Sequence, residues 1–150
     1  MDFARVILLV EDNKDDEALT LRALKKNNIV NEVVVARSGE EAAEFLFGTG
    51  TPTAGHDGTV SPQIILLDLN LPKMSGLDVL RQIRAEARTK FLPVVVLTSS
   101  KEDEDIINSY ELGANAYVRK PVDFAQFTEA VRTLGLFWLL LNEVAARPHG

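Results

Sequence analysis

Four short apolar runs, each breaking off at polar or charged residues or at a small residue, constrain the fold of this chain more than any other feature. They are Val6-Ile7-Leu8-Leu9-Val10 before Glu11-Asp12, Val33-Val34-Val35-Ala36, Ile64-Ile65-Leu66-Leu67 before Asp68, and Val94-Val95-Val96-Leu97 before Thr98-Ser99-Ser100. Continuous apolar runs of this length suit strands buried on both faces better than strands with one wet face. A weaker run, Ala116-Tyr117-Val118, leads to Lys120-Pro121 and supplies a fifth strand.

Helical patterns fill the intervals. From Asn13 to about Lys26, Ala18, Leu21, Ala23 and Leu24 recur among charged neighbours, and Asp15 and Asp16 suit the positive end of a helix dipole. Ser38, three residues ahead of Glu41, resembles a capping box that opens a helix through Phe47. Ser75 and Gly76 precede a helix in which Leu77, Leu80, Ile83 and Arg84 alternate core and solvent. An acidic start, then Ile106, Ile107, Tyr110 and Leu112, predicts a fourth helix closed at Gly113. The final helix is expected from about Asp123 to about Val144. Between Gly48 and Pro62 the glycines and prolines carry no periodicity, which predicts a long surface loop.

Strands alternating with helices imply a parallel sheet covered on both faces, because each crossover must pack back onto the sheet. The expectation is a doubly wound α/β fold. With 150 residues, 46% hydrophobic and 25% charged, it forms one domain over 1–150, with a long loop at about 48–62 and an extended C-terminal helix at about 123–144. Neither a leader peptide nor a bilayer-length apolar run is evident, so no membrane partner and a cytoplasmic location are expected. The absence of cysteine excludes thiolate metal sites, and a net charge of −6 argues against nucleic acid as a partner.

In doubly wound sheets, ligands sit outside the carboxyl ends of the strands, near the point where strand order reverses. The residues delivered there are Glu11 and Asp12, Asp68 and Asn70, Thr98, and Lys120. Three neighbouring carboxylates repel one another, and a hard divalent cation, Mg²⁺ above all, offsets that repulsion with oxygen ligands. A carboxylate beside Mg²⁺ is a competent nucleophile toward phosphorus, which makes Asp68 the candidate acceptor. The Lys120 ammonium and the Thr98 hydroxyl are then placed to bind the phosphoryl oxygens.

Taken singly, each residue has a plainer explanation. Glu11-Asp12 could cap the first helix, Lys120 could be a solvated side chain, and Thr98 and Tyr117 could be a loop start and ordinary strand packing. His56 and His149 have no partner at metal-ligand spacing. The joint placement of the acids and the lysine at strand ends defeats the first two explanations, whereas for Thr98 and Tyr117 the residues alone leave the plainer explanation standing.

Val10-Glu11-Asp12, Leu67 to Pro72, Thr98, and Tyr117 with Lys120-Pro121 together resemble a response-regulator receiver domain, over nearly the whole chain. The resemblance implies a flavodoxin-like sheet of order 2-1-3-4-5. It implies Asp68 as phosphoacceptor, Asp12 as direct metal ligand, Glu11 as ligand through water, and Asn70 as ligand through its backbone carbonyl, with Mg²⁺ as cofactor. Lys120 and Thr98 bind the phosphoryl group, Thr98 and Tyr117 form the switch, and the Lys120-Pro121 bond is cis. The long loop and the apolar ending Leu134 to Leu141 are similar to small regulators that serve bacterial phytochrome kinases. On this resemblance the chain is a stand-alone regulator taking its phosphoryl group from a sensor histidine kinase, a bacteriophytochrome. It would catalyse only its own phosphorylation from small donors and its own dephosphorylation.

In the final helix, Phe124, Phe127, Val131, Leu134, Trp138 and Leu141 form a core stripe, while Leu136, Phe137, Leu139 and Leu140 remain over. That surplus predicts a homodimer through this helix. Three other functions compete. A phosphatase resembling haloacid dehalogenases needs a second acid where Asn70 stands. A flavin or nucleotide module needs glycines where Glu11-Asp12-Asn13-Lys14 stands. A passive metal-binding interaction protein would bind the ion without being phosphorylated.

Overall fold

Each apolar run forms a strand: β1 (Val6–Val10), β2 (Glu32–Ala36), β3 (Ile64–Asp68), β4 (Val94–Thr98) and β5 (Ala116–Arg119). They make one parallel sheet in the order β2-β1-β3-β4-β5. Helices α1 (Lys14–Lys26), α2 (Gly39–Phe47), α3 (Gly76–Ala85) and a last helix (Phe124–Leu134) complete the elements. The computed structural model describes residues 6–26, 32–48, 62–99, 108, 110–120 and 122–134. The loop at 49–61 with His56, most of the fourth helix, Pro121 with its peptide bond, and the apolar ending with Phe137, Trp138 and His149 lie outside those residues.

Period-two alternation splits the strands into two cores. Leu8, Val10, Ile65, Leu67, Val94 and Val96 pack with Phe45 of α2 and with Val79, Leu80 and Ile83 of α3. Ile7, Leu9, Ile64, Leu66, Val95 and Leu97 pack with Ala23 and Leu24 of α1 and with Phe127 and Ala130 of the last helix. All residues of β1, β3 and β4 are buried, as a sheet covered on both faces requires.

Capping fixes where the helices begin. The Asp16 N–H donates to Asn13 Oδ1 at 2.9 Å, so Asn13 caps α1 and the pair Glu11-Asp12 is left for another task. Ser38 accepts from the Glu41 N–H at 3.0 Å, while Glu41 reaches back to the Arg37 N–H at 2.8 Å, a capping box displaced by one residue. Asp123 opens the last helix by accepting from the Gln126 N–H at 2.8 Å.

Arg84 departs from the amphipathic expectation. Instead of facing solvent, its guanidinium donates to the carbonyls of Gly113, Lys90 and Leu92 and to Asn115 Oδ1, at 2.6 to 3.1 Å. Asn115 Oδ1 also accepts from the Val94 N–H at 2.8 Å. The end of α3, the entry to β4 and the turn before β5 are thereby tied together, and with no carboxylate in the knot, burial holds the Arg84 pKa below its ordinary value.

Gly76 brings the start of α3 against the end of β3. Its N–H donates to Leu69 O at 3.1 Å, and a Cβ there would stand 2.2 Å from Asp68 O and 2.6 Å from Leu69 Cα. Both neighbours are backbone, which cannot give way cheaply. Gly76→Ala is therefore expected to cost about 3 kcal/mol or more in urea denaturation, the upper end of overpacking penalties. A change below about 0.5 kcal/mol, as at an indifferent surface position, would contradict this close approach.

Candidate functional site

The carboxyl ends of β1, β3, β4 and β5 open on one edge of the sheet, and the register sets what meets there. Val10 pairs with Leu67, Asp68 with Leu97, and Thr98 with Arg119. Glu11, Asp68, Thr98 and Lys120 are consequently neighbours at the ends of adjacent strands. Glu11, Asp68 and Thr98 are buried to 1% exposure or less.

Lys120 Nζ is the hub. It lies 3.0 Å from Glu11 Oε1, 3.0 Å from Asp16 Oδ2 and 3.2 Å from Asp68 Oδ1. Its hydrogen bonds go to Glu11 Oε2 at 3.1 Å and to Asp16 Oδ2 at 3.0 Å. Burial opposes the ammonium's charge, but the Asp16 bond, the field of Asp68 and the contacts with Glu11 outweigh it and raise the Lys120 pKa. Removing such an ammonium would strand buried carboxylates, a loss of several kcal/mol.

Even with that cation the site is over-supplied with negative charge. Burial first, and then the neighbouring Asp68, push the Glu11 carboxyl from 4.5 up to about 7, although Lys120 pulls it down. Glu11 Oε1 touches Lys120 only as a charge contact and accepts no hydrogen bond among the described residues. Carboxylate oxygens of Glu11, Asp12 and Asp68 all lie within 4.8 Å of one another, with Asp12 exposed and the other two buried. A buried carboxylate raised by its neighbours, two more acids and an open side toward solvent are a donor set that fits a hard divalent cation with part of its water shell retained.

Asn70 closes the β3 end as an Asx turn, its N–H donating to Asp68 Oδ1 at 3.0 Å while its side-chain amide donates to Ser99 Oγ at 3.3 Å. Thr98 is buried at the end of β4. Tyr117, on β5, stands apart from this cluster: it is 37% exposed, and its ring meets Tyr110 edge-on at 5.7 Å. The structure thus gathers Glu11, Asp12, Asp68, Asn70, Thr98 and Lys120 at one edge and sets Tyr117 on the outer face of β5. The sequence reading missed Asp16. It lies in the first turn of α1, five residues beyond Glu11, where the helix dipole already accounted for an acid, and nothing in its spacing pointed to Lys120.

The family model of the response regulator receiver domain matches residues 7–132. Response regulator Rcp1 of Synechocystis sp. is 41% identical over 135 residues, covering 90% of this chain and 89% of that protein. The bacteriophytochrome response regulator RtBRR superposes with a TM-score of 0.80 at 51% identity, over 93% of this chain and 83% of that one. The Mn²⁺-bound form of Rcp1 superposes with a TM-score of 0.72 at 38% identity, over 91% of this chain and 95% of that one.

Because the folded protein holds the Glu11 proton more tightly than the unfolded chain, it binds more protons between 4.5 and about 7, and this group's contribution to stability falls as pH rises through that window. A divalent cation held by these acids would compete with the same proton. Calorimetric Mg²⁺ titrations at about pH 6, in buffers of different ionisation enthalpy, are expected to show proton release that disappears by about pH 8.5 and in Glu11→Gln. Equal release at both pH values would contradict the raised Glu11 pKa.

Proposed function

The chain belongs to the response regulator receiver domain family, and from that membership we propose that it acts by itself as a phosphoacceptor switch, with Asp68 taking the phosphoryl group of a sensor kinase's phosphohistidine. The observation that carries this reading is the juxtaposition of the buried Asp68 carboxylate with the Lys120 ammonium, 3.2 Å away, inside a cluster of acids. A carboxylate so placed has one oxygen fixed by the Asn70 N–H and by Lys120, and its other oxygen is the nucleophile.

In the reaction, that oxygen attacks phosphorus in line, the phosphorus–nitrogen bond to the donor imidazole breaks, and an acyl phosphate forms on Asp68. Lys120 moves its ammonium toward the phosphoryl oxygens, and the Thr98 hydroxyl hydrogen-bonds one of them. Asp12 and Asp68 would hold Mg²⁺ directly, Glu11 through water and Asn70 through its carbonyl; the bound ion compensates the charge of acids and phosphoryl group. That the relative Rcp1 has a Mn²⁺-bound form supports a divalent ion as the cofactor.

The output follows from where Thr98 and Tyr117 sit. A shift of Thr98 at the end of β4 relaxes the β4–β5 edge, and Tyr117 is the exposed aromatic on that edge, with Tyr110, Arg119 and Gln126 lining the groove beside it. Phosphorylation biases this face between two arrangements, in the manner of a two-state surface. The similarity to RtBRR supports a bacteriophytochrome as the sensor kinase. The homodimer assigned to the last helix rests on Leu136, Phe137, Leu139 and Leu140, outside the described residues. Among the described residues, no helix is long and apolar enough to cross a membrane.

Incubation with acetyl phosphate tests the acceptor. Intact mass is expected to show one added phosphoryl group on the wild type with Mg²⁺, and none on Asp68→Asn or in the presence of a chelator. Metal binding without any mass gain would instead establish a passive cation site.

A further inference from the structure

Asp16 belongs to neither the acceptor nor the metal cluster, yet it holds Lys120. Its Oδ2 accepts a 3.0 Å hydrogen bond from Nζ, with the Asp16 carboxylate 27% exposed and Lys120 8% exposed. The backbone of Asp16 is fixed on both sides: its N–H donates to Asn13 Oδ1 at 2.9 Å, and its carbonyl accepts from the buried Thr20 hydroxyl at 2.9 Å. A carboxylate mounted so firmly on the first turn of α1 is a fixed counter-charge, in contrast to a solvated acid free to swing away.

The three acids do not share Lys120 equally. Glu11 and Asp16 accept its hydrogen bonds, whereas Asp68 has a charge contact at 3.2 Å, the longest of the three. Among them, Asp16 alone lies outside the trio of acids able to hold a metal ion. A divalent cation would therefore neutralise the competition from Glu11 and leave that from Asp16 untouched.

Resting on the acceptor reading above, we propose that Asp16 is a positioning residue that restrains Lys120 and slows phosphoryl transfer to Asp68. The step it slows is balanced within the site and its donor. An Asp68 oxygen forms a bond to the phosphorus of acetyl phosphate, the bond from phosphorus to the acyl oxygen breaks, and acetate leaves with the electron pair, without net proton transfer. Lys120 stabilises the charge on the transferring group in proportion to how far its ammonium is released from Asp16.

Asp16→Asn removes the charge and keeps the shape, and its backbone bonds to Asn13 and Thr20 remain. With Mg²⁺ and acetyl phosphate the variant is expected to be phosphorylated about fivefold faster than the wild type, the equivalent of releasing a partly exposed ion pair. Asp16→Glu, which keeps the charge, is expected to return toward the wild-type rate. In a Lys120→Gln background, Asp16→Asn is expected to leave the phosphorylation rate unchanged, since there is no ammonium to release.

A slower or unchanged Asp16→Asn rate overturns the inference. So does an acceleration that persists in the Lys120→Gln background, because the effect would then be plain relief of repulsion between Asp16 and the anionic donor. Without metal or donor, the Lys120 ammonium protons observed by NMR are expected to exchange faster with water in Asp16→Asn and in Asp16→Ala. Unchanged exchange in both overturns the restraint itself. Should the wild type accept no phosphoryl group while this exchange still responds to Asp16, the acceptor reading fails and the restraint on Lys120 stands.

Discussion

The Lys120 ammonium, buried among three carboxylates, is the contact on which the rest of the structure depends. Lone buried acids revert to the neutral form or draw in water, and two facing each other repel. Placing one cation within 3.2 Å of Glu11, Asp16 and Asp68 ties the end of β5 to β1, to α1 and to β3 across the whole carboxyl edge of the sheet. The edge stays charged because that one side chain is fixed, and a charged edge is what chemistry at phosphorus needs.

The fold exists to hold this edge still. Two cores, one on each face, fix the strand ends to the register in which Asp68 sits beside Leu97 and Thr98 beside Arg119. Gly76 lets α3 start against the backbone of Asp68, and Arg84 ties the far end of α3 to the approaches of β4 and β5. The remaining mismatch, a buried Glu11 raised to about 7 among neighbouring acids, is one that a bound metal ion would relieve. A site that is rigid in its backbone and incomplete in its charge suits a switch, since a small change in charge has a large effect there.

Much of this was legible in the chain itself. Five apolar runs became five strands in the expected parallel order; the three central ones leave an unbroken apolar trace because they are buried throughout, while the edge strands β2 and β5 carry exposed positions. Glu11, Asp68, Thr98 and Lys120 could be singled out because each interrupts or follows such a run. Asp16 and Arg84 could not. Both lie on amphipathic helices, where periodicity assigns a charged residue to solvent and says nothing of a partner 104 residues away for Asp16 or 29 residues away for Arg84. The pair Glu11-Asp12 was ambiguous between cap and ligand until Asn13 was seen to cap α1. Tyr117 illustrates a different limit: its exposure on β5 and its edge contact with Tyr110 are tertiary facts that an alternating pattern does not contain.

Phosphorylation of Asp68 as an acyl phosphate can be tested by trapping that bond. Reduction of the phosphorylated protein with borohydride converts a phosphoaspartate to homoserine, which peptide sequencing by mass spectrometry locates. Homoserine is expected at position 68 and nowhere else, dependent on both donor and Mg²⁺. Homoserine at another acid, such as Asp12 or Asp16, or a phosphoryl group that survives reduction on a hydroxyl side chain, would contradict it.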